Sequence, residues 1–156
     1  MESTSPPWFH VGVIAAPGHD PPDLARQVRR SLGGLLARKA RTHKIGIVFP
    51  WAEPVGHAAV GAAEGFGWHA SGHAVDRHSG PCGWLRCWLL IAATCDAMVV
   101  FGEPTPALEW VLGLCPRLGC AVRRAEGKGR TRPDAVRPGR LPASPAFPAS
   151  PTISER

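Results

Sequence analysis

Residues 97–101 read AMVVF, five apolar side chains in a row between Cys95-Asp96 and Gly102-Glu103. A strand with one wet face alternates apolar and polar residues. An unbroken run needs cover on both faces, as for a central strand of a parallel sheet. Two further runs rich in β-branched residues, 10–16 (HVGVIAA) and 44–49 (KIGIVF), share this character. Parallel neighbours cannot be joined by tight hairpins and need a crossover of about a dozen residues or more, usually a helix. The chain is thereby tied to alternating strands and helices.

The segments between the strands fit that demand. Pro17-Gly18-His19-Asp20 reads as a loop, with Asp20 as an N-cap and Pro21 at the first helical position. Leu24, Val28, Leu32, Leu35 and Leu36 then recur near the helical period, with Arg26, Arg29, Arg30 and Arg38 over much of the other face. Residues 55–66 are mostly Ala and Gly, a composition that lets a helix lie close on a sheet. A weaker strand is expected at 68–75, a polar loop at 76–83 and a helix, apolar almost all round, at 84–94. Thr105 and Pro106 open a fourth helix lined by Leu108, Val111, Leu112, Cys115 and Leu118, with Pro116 late in it, and 120–122 reads as a short last strand. The sequence predicts the α/β class: a single Rossmann-like three-layer domain with a mostly parallel sheet of about five strands and right-handed connections. The domain spans 10–122, after a polar lead at 1–9. At 123–156 Pro, Arg, Ala and Ser replace any apolar period, and a disordered tail is expected.

The net charge of +6 is concentrated in that tail, which holds eight Lys/Arg against three Asp/Glu, whereas the preceding residues hold ten against nine. A basic tail attracts nucleic acid weakly and without sequence preference, and the plainer reading is a solvated segment. No run of about 18 apolar residues is present, so no membrane partner is expected. The first nine residues lack a basic start followed by an apolar stretch, so no signal peptide is expected and the expected location is cytoplasmic. Cys82, Cys87, Cys95, Cys115 and Cys120 are odd in number and form no CxxC pair, which points to free thiols packed as small apolar groups. His69, His73, His78 and Cys82 have a zinc-like look. A four-residue step on a strand sets His69 and His73 about 13 Å apart, too far for one ion. No metal site and no cofactor are expected.

In open parallel sheets, ligands bind beyond the carboxyl ends of the strands. Here those ends supply Pro17, Gly18 and His19, then Trp51 and Glu53, then Gly80, then Gly102 and Thr105. Three of these loops lead into helix N-termini, where free N–H groups and the helix dipole favour phosphate. Arg86 adds a guanidinium near the start of a helix, and Trp51, on a strand-end loop, is suited to stacking on a base. Glu109, in the first turn of the fourth helix, is the candidate catalytic carboxylate for glycosyl chemistry, and its plainer role is to favour the helix dipole. Cys82 is the one candidate for a nucleophilic thiol. Neither GxGxxG nor GxxxxGK[ST] occurs.

The stretches IVFPWAEPVGHAAVGAAEGFGW (47–68) and DRHSGPCGWLRCWLLIAATCDAMVVF (76–101) resemble a divergent bacterial branch of the SLOG Rossmann-like superfamily, which includes DprA and the lonely-guy phosphoribohydrolases. Gly67-Trp68, Gly80-Pro81, Arg86, Asp96 and the strand at 97–101 carry the match, and GHDPPDL resembles the Gly-His-Arg start of some relatives. The departures are local. Phe49-Pro50 stand for His-Gly, Pro54 for Gly, Cys87 for Asn, and Gly56 falls where an acid is expected. GEPTPALE keeps only Gly102 and Glu109 of GGxGTxxE. Lost glycines restrict the approach of backbone to phosphate. The resemblance implies a domain that binds a nucleotide or a phosphorylated, nucleoside-derived small molecule. Two alternatives stand beside it: an N-glycosidic hydrolase or transferase acting on nucleoside monophosphates, and an interaction protein with an eroded site. Whether the chain is an enzyme, and whether it forms a homo-oligomer, the sequence leaves open.

Overall fold

The computed structural model describes residues 4–125. Five strands alternate with four helices: β1 (Trp8–Ala15), α1 (Leu24–Leu36), β2 (Lys44–Pro50), α2 (Pro54–Phe66), β3 (His69–His73), α3 (Pro81–Thr94), β4 (Ala97–Phe101), α4 (Pro106–Leu114) and β5 (Ala121–Arg124). Short 3-10 turns occupy Lys39–Arg41, Arg77–Ser79 and Cys115–Leu118. All strand pairs are parallel, in the order β3-β2-β1-β4-β5. This is the Rossmann-like three-layer arrangement that the unbroken apolar strands require.

The two layers of core follow the pleat. Val11, Val13, Ala15, Val99 and Phe101 face α1 and α2, while Ile14, Met98 and Val100 face α3 and α4. Every residue of β4 is buried, which explains why its sequence shows no alternation. The chain winds outward from β1 to β3 and then returns to the other side of β1. The connections therefore diverge between β1 and β4, and a crevice opens at their carboxyl ends. Among the described residues no helix is long and apolar enough to cross a membrane.

Several element ends differ from expectation. β1 starts at Trp8, because Trp8 and Phe9 pair with Lys44 and Ile45. α1 starts at Leu24 with Asp23, not Asp20, at its N-cap. Pro21 precedes Pro22, and a residue before proline is held out of the α region, so the helix cannot begin there. α3 starts three residues early, at Pro81, whose missing N–H costs nothing in the first turn. α4 stops at Leu114, because Pro116 has no N–H to continue the ladder and the chain tightens to a 3-10 turn. β5 runs to Arg124, where Arg123 and Arg124 pair with Val99 and Val100. The expected tail lies outside the described residues, save its first three residues.

Gly12 sets the closeness of α3 to the sheet. A Cβ at this position would lie 2.6 Å from Ile91 Cγ2 and 3.5 Å from Cys95 Sγ. Gly34, on the exposed side of α1, has nothing within 4 Å. Gly12→Ala should lower the unfolding free energy by about 1–3 kcal/mol through overpacking. Gly34→Ala should raise it by up to about 1 kcal/mol through helix propensity. Urea denaturation of the two variants checks both signs.

Candidate functional site

The first strand-end loop is a tight turn. His19 N–H donates to the Ala16 carbonyl at 3.1 Å, with Pro17 and Gly18 at the corners and φ +73° at Gly18. Proline followed by a positive-φ glycine is the pattern of a type II turn. The second loop turns on Ala52, whose φ of +63° makes it the one non-glycine residue with positive φ among those described. The left-handed conformation costs an L-residue roughly 1–2 kcal/mol, and its effect is to turn Glu53 back toward β1.

Glu53 is the hub of the site. It is 7% exposed and is the one buried charged residue among those described. It stands at the N-cap of α2 but makes no side-chain cap bond. Its Oε2 instead accepts the Gly18 N–H at 3.3 Å, and its Oε1 accepts Arg77 Nη2 at 3.2 Å. Arg77 also donates to the Ala52 carbonyl at 3.4 Å. One carboxylate thus ties together the loops that follow β1, β2 and β3. A carboxylate has about four acceptor positions, so roughly half of its capacity is left for a further donor. The loop after β4 joins through His19, whose ring lies against Gly102. A Cβ on Gly102 would meet the His19 ring at 2.5 Å, and its φ is +72°.

The expected residues divide accordingly. Gly18, His19, Glu53 and Gly102 come together at the crevice, with Pro17 exposed beside them. Trp51 is 62% exposed, and its indole edge lies over Gly72 of β3, to one side of Glu53. Gly80 is the residue before α3, with φ +56°. Thr105 caps α4, its Oγ1 accepting the Leu108 N–H at 3.3 Å. Arg86 lies on the outer side of α3 in a separate cavity of about 510 Å³, with Cys82, Leu89, Leu90 and Leu118. Glu109 is held by Arg124 through two bonds, of 2.9 and 2.8 Å. The pairing raises the Arg124 pKa, chiefly through those hydrogen bonds. Gly56, where the resemblance implies an acid, packs directly on the Pro50 carbonyl, so a longer side chain has no room.

Sequence reasoning passed over Arg77 and Ala52. Arg77 lay in the strand-end loop at 76–80, from which Gly80 alone was singled out. Nothing in the residue type marks Ala52 as left-handed. Of the cysteines, Cys82 is exposed, while burial pushes the Cys87 thiol up to about 11 and Cys95 to about 12. Cys87 and Cys95, two of the four buried thiols, therefore stay protonated and unreactive at neutral pH.

The loop that carries Arg77 is fixed by Asp76. Its carboxylate accepts Ser79 Oγ–H at 2.5 Å and the His78 N–H at 3.0 Å. The Ser79 hydrogen bond is the largest cause holding its pKa below the ordinary 3.8. A carboxylate with a lowered folded-state pKa adds stability above the unfolded value and loses it as pH falls through the folded one. Asp76→Asn should therefore be less stable than the parent at pH 7. The gap should narrow as pH falls below about 4, as thermal melts across that range would show.

The Glu109–Arg124 pair is about half exposed on both sides, at 42% and 51%. Glu109→Gln should cost no more than about 1 kcal/mol, and a loss well above that in urea denaturation would mean the pair anchors β5 more firmly than its exposure implies.

No protein-family model, curated protein or solved structure matches the chain.

Proposed function

We propose that this domain binds a nucleotide or a nucleotide-derived phosphorylated ligand in the crevice between β1 and β4, as a SLOG-like module. The observation that carries the reading is Glu53. In doubly wound parallel sheets, a carboxylate following the second strand is where ribose hydroxyls are accepted. Glu53 follows β2, is nearly dry, and keeps acceptor capacity beyond Gly18 and Arg77.

The same bond refines the expected mode of binding. The Gly18 N–H, a natural phosphate donor, already serves Glu53. A phosphate beside it would face a carboxylate. The phosphate therefore belongs on the far side of the crevice, near His19, Gly102 and the start of α4. The ribose belongs at Glu53. The hydrolase alternative draws less support, because both oxygens of Glu109 are taken by Arg124.

A thermal-shift panel tests the reading. A ligand at a hundred times its Kd stabilises the folded state by about 2.7 kcal/mol, which is easily read as a rise in Tm. Ribonucleotides should raise Tm more than the matching 2′,3′-dideoxynucleotides, and Glu53→Gln should erase that difference. If no nucleotide or phosphoribosyl compound raises Tm, the proposal fails. If the dideoxy forms stabilise equally, the role given to Glu53 fails.

A further inference from the structure

The basic and acidic residues of the domain nearly balance in number, but they do not balance in space. Between Leu24 and Ile45 lie Arg26, Arg29, Arg30, Arg38, Lys39, Arg41 and Lys44, with no Asp or Glu among them. All seven are exposed, and among the described residues none forms an ion pair. The helix dipole does not account for them, since the last turn of α1 carries no basic residue. The last three cluster at the amino-terminal edge of the sheet, Lys39 and Arg41 on the turn that leads into β2 and Lys44 as its first residue. That edge is opposite the crevice of Glu53.

The cations at this edge sit on aromatic rings. Lys44 Nζ lies 5.7 Å from the Trp8 centroid, Lys39 Nζ lies 4.9 Å from Phe9, and Arg29 lies 5.2 Å from Phe66. Phe66 stacks on Trp68 at 4.4 Å, and Trp8 stacks on His10 at 5.6 Å. A cavity of about 330 Å³ opens here, lined by Trp8, His43, Lys44, Trp68 and His69. Trp8 is 47% exposed, although a tryptophan at a strand end has apolar surface to hide.

We infer that this edge binds single-stranded nucleic acid: an unpaired base enters the cleft lined by Trp8 and Trp68, and Lys39, Arg41 and Lys44 contact the adjoining phosphates. Indole faces supply sequence-tolerant stacking, and a row of cations tracks the backbone. A duplex keeps its bases paired inside and has none to offer the cleft. An acidic peptide meets the cations but brings no flat ring to the indoles. The inference uses none of the residues assigned to the crevice, and so stands apart from the proposed small-ligand site.

The test uses the full chain, basic tail included, with fluorescein-labelled oligo-dT and oligo-U followed by anisotropy across a salt series. The triple variant Lys39→Gln, Arg41→Gln, Lys44→Gln should lose about tenfold or more in affinity. Its salt slope should fall by about 2, at roughly 0.7 per phosphate contact on a single strand. Trp8→Ala should lose about tenfold with the slope unchanged, and Trp8→Phe should recover most of the loss, because stacking rather than charge is removed. Such behaviour with either oligonucleotide supports the proposal. It is overturned if the triple variant binds like the parent, which would assign all binding to the tail. It is equally overturned if Trp8→Ala binds like the parent, if a duplex of the same length binds as tightly, or if polyglutamate competes as well as oligo-dT. The charge variants lie at exposed positions, so they remain informative even if Trp8→Ala fails to fold.

Discussion

A carboxylate removed from water must be met by donors, or the folded state loses several kcal/mol. Glu53 meets this demand with one backbone N–H from the first loop and one guanidinium from the third. The strand-end architecture depends on that pair of bonds. They fix the Pro17-Gly18 turn against the start of α2 and draw the Arg77 loop over β2. They also justify the left-handed Ala52 between Trp51 and Glu53. The strain is local and the gain is a loop cluster of defined shape, a trade typical of binding sites.

The same bonds limit what the site can do. An N–H at the end of a first strand is ordinarily a phosphate donor, and here an internal anion has taken it. A resident carboxylate favours hydroxyls and amines close by and disfavours a second anion beside it. Gly56 belongs to the same design. The absence of a side chain lets α2 begin directly on the Pro50 carbonyl, which places Glu53 at the N-cap with its side chain free to turn away from its own helix.

The fold was legible because its strands are buried on both faces. AMVVF has no polar residue because α1 and α2 cover one side of it and α3 and α4 the other. The element ends were less legible where two local rules competed. Asp20-Pro21 looks like a helix start until Pro22 is taken into account, and Pro81 opens α3 three residues before the apolar period begins. Of the candidate site, Gly18, His19, Glu53 and Gly102 could be named because strand ends in a parallel sheet share one edge. Their mutual contacts could not be read, since Glu53 reaches Gly18 across 35 residues of sequence. Arg86 illustrates the converse. Its place near the start of a helix and its part in the resemblance suggested the site, but its position on α3 turns it to the outer face of that helix.

Charge was the least legible property, because counting along the chain averages over direction. α1 turns its leucines to the sheet and so presents its arginines outward. The turn after it adds Arg38, Lys39, Arg41 and Lys44 at the edge where β1 and β2 begin. Acids are instead spread over several elements: Asp20 and Asp23 before α1, Glu53 inside the crevice, Glu64 late in α2, Asp76 after β3, Asp96 before β4, where it accepts the His10 N–H, and Glu109 beside β5. A parallel sheet makes such segregation easy, since all strands start at one edge and finish at the other. The finishing edge collects turn glycines, a buried acid and helix N-termini, which suit a small ligand with hydroxyls and phosphate. The starting edge collects helix C-terminal turns, where cations meet no opposing dipole, and here it also displays two indoles. The two edges therefore differ in chemistry as a consequence of strand direction, and a ligand suited to one is poorly suited to the other.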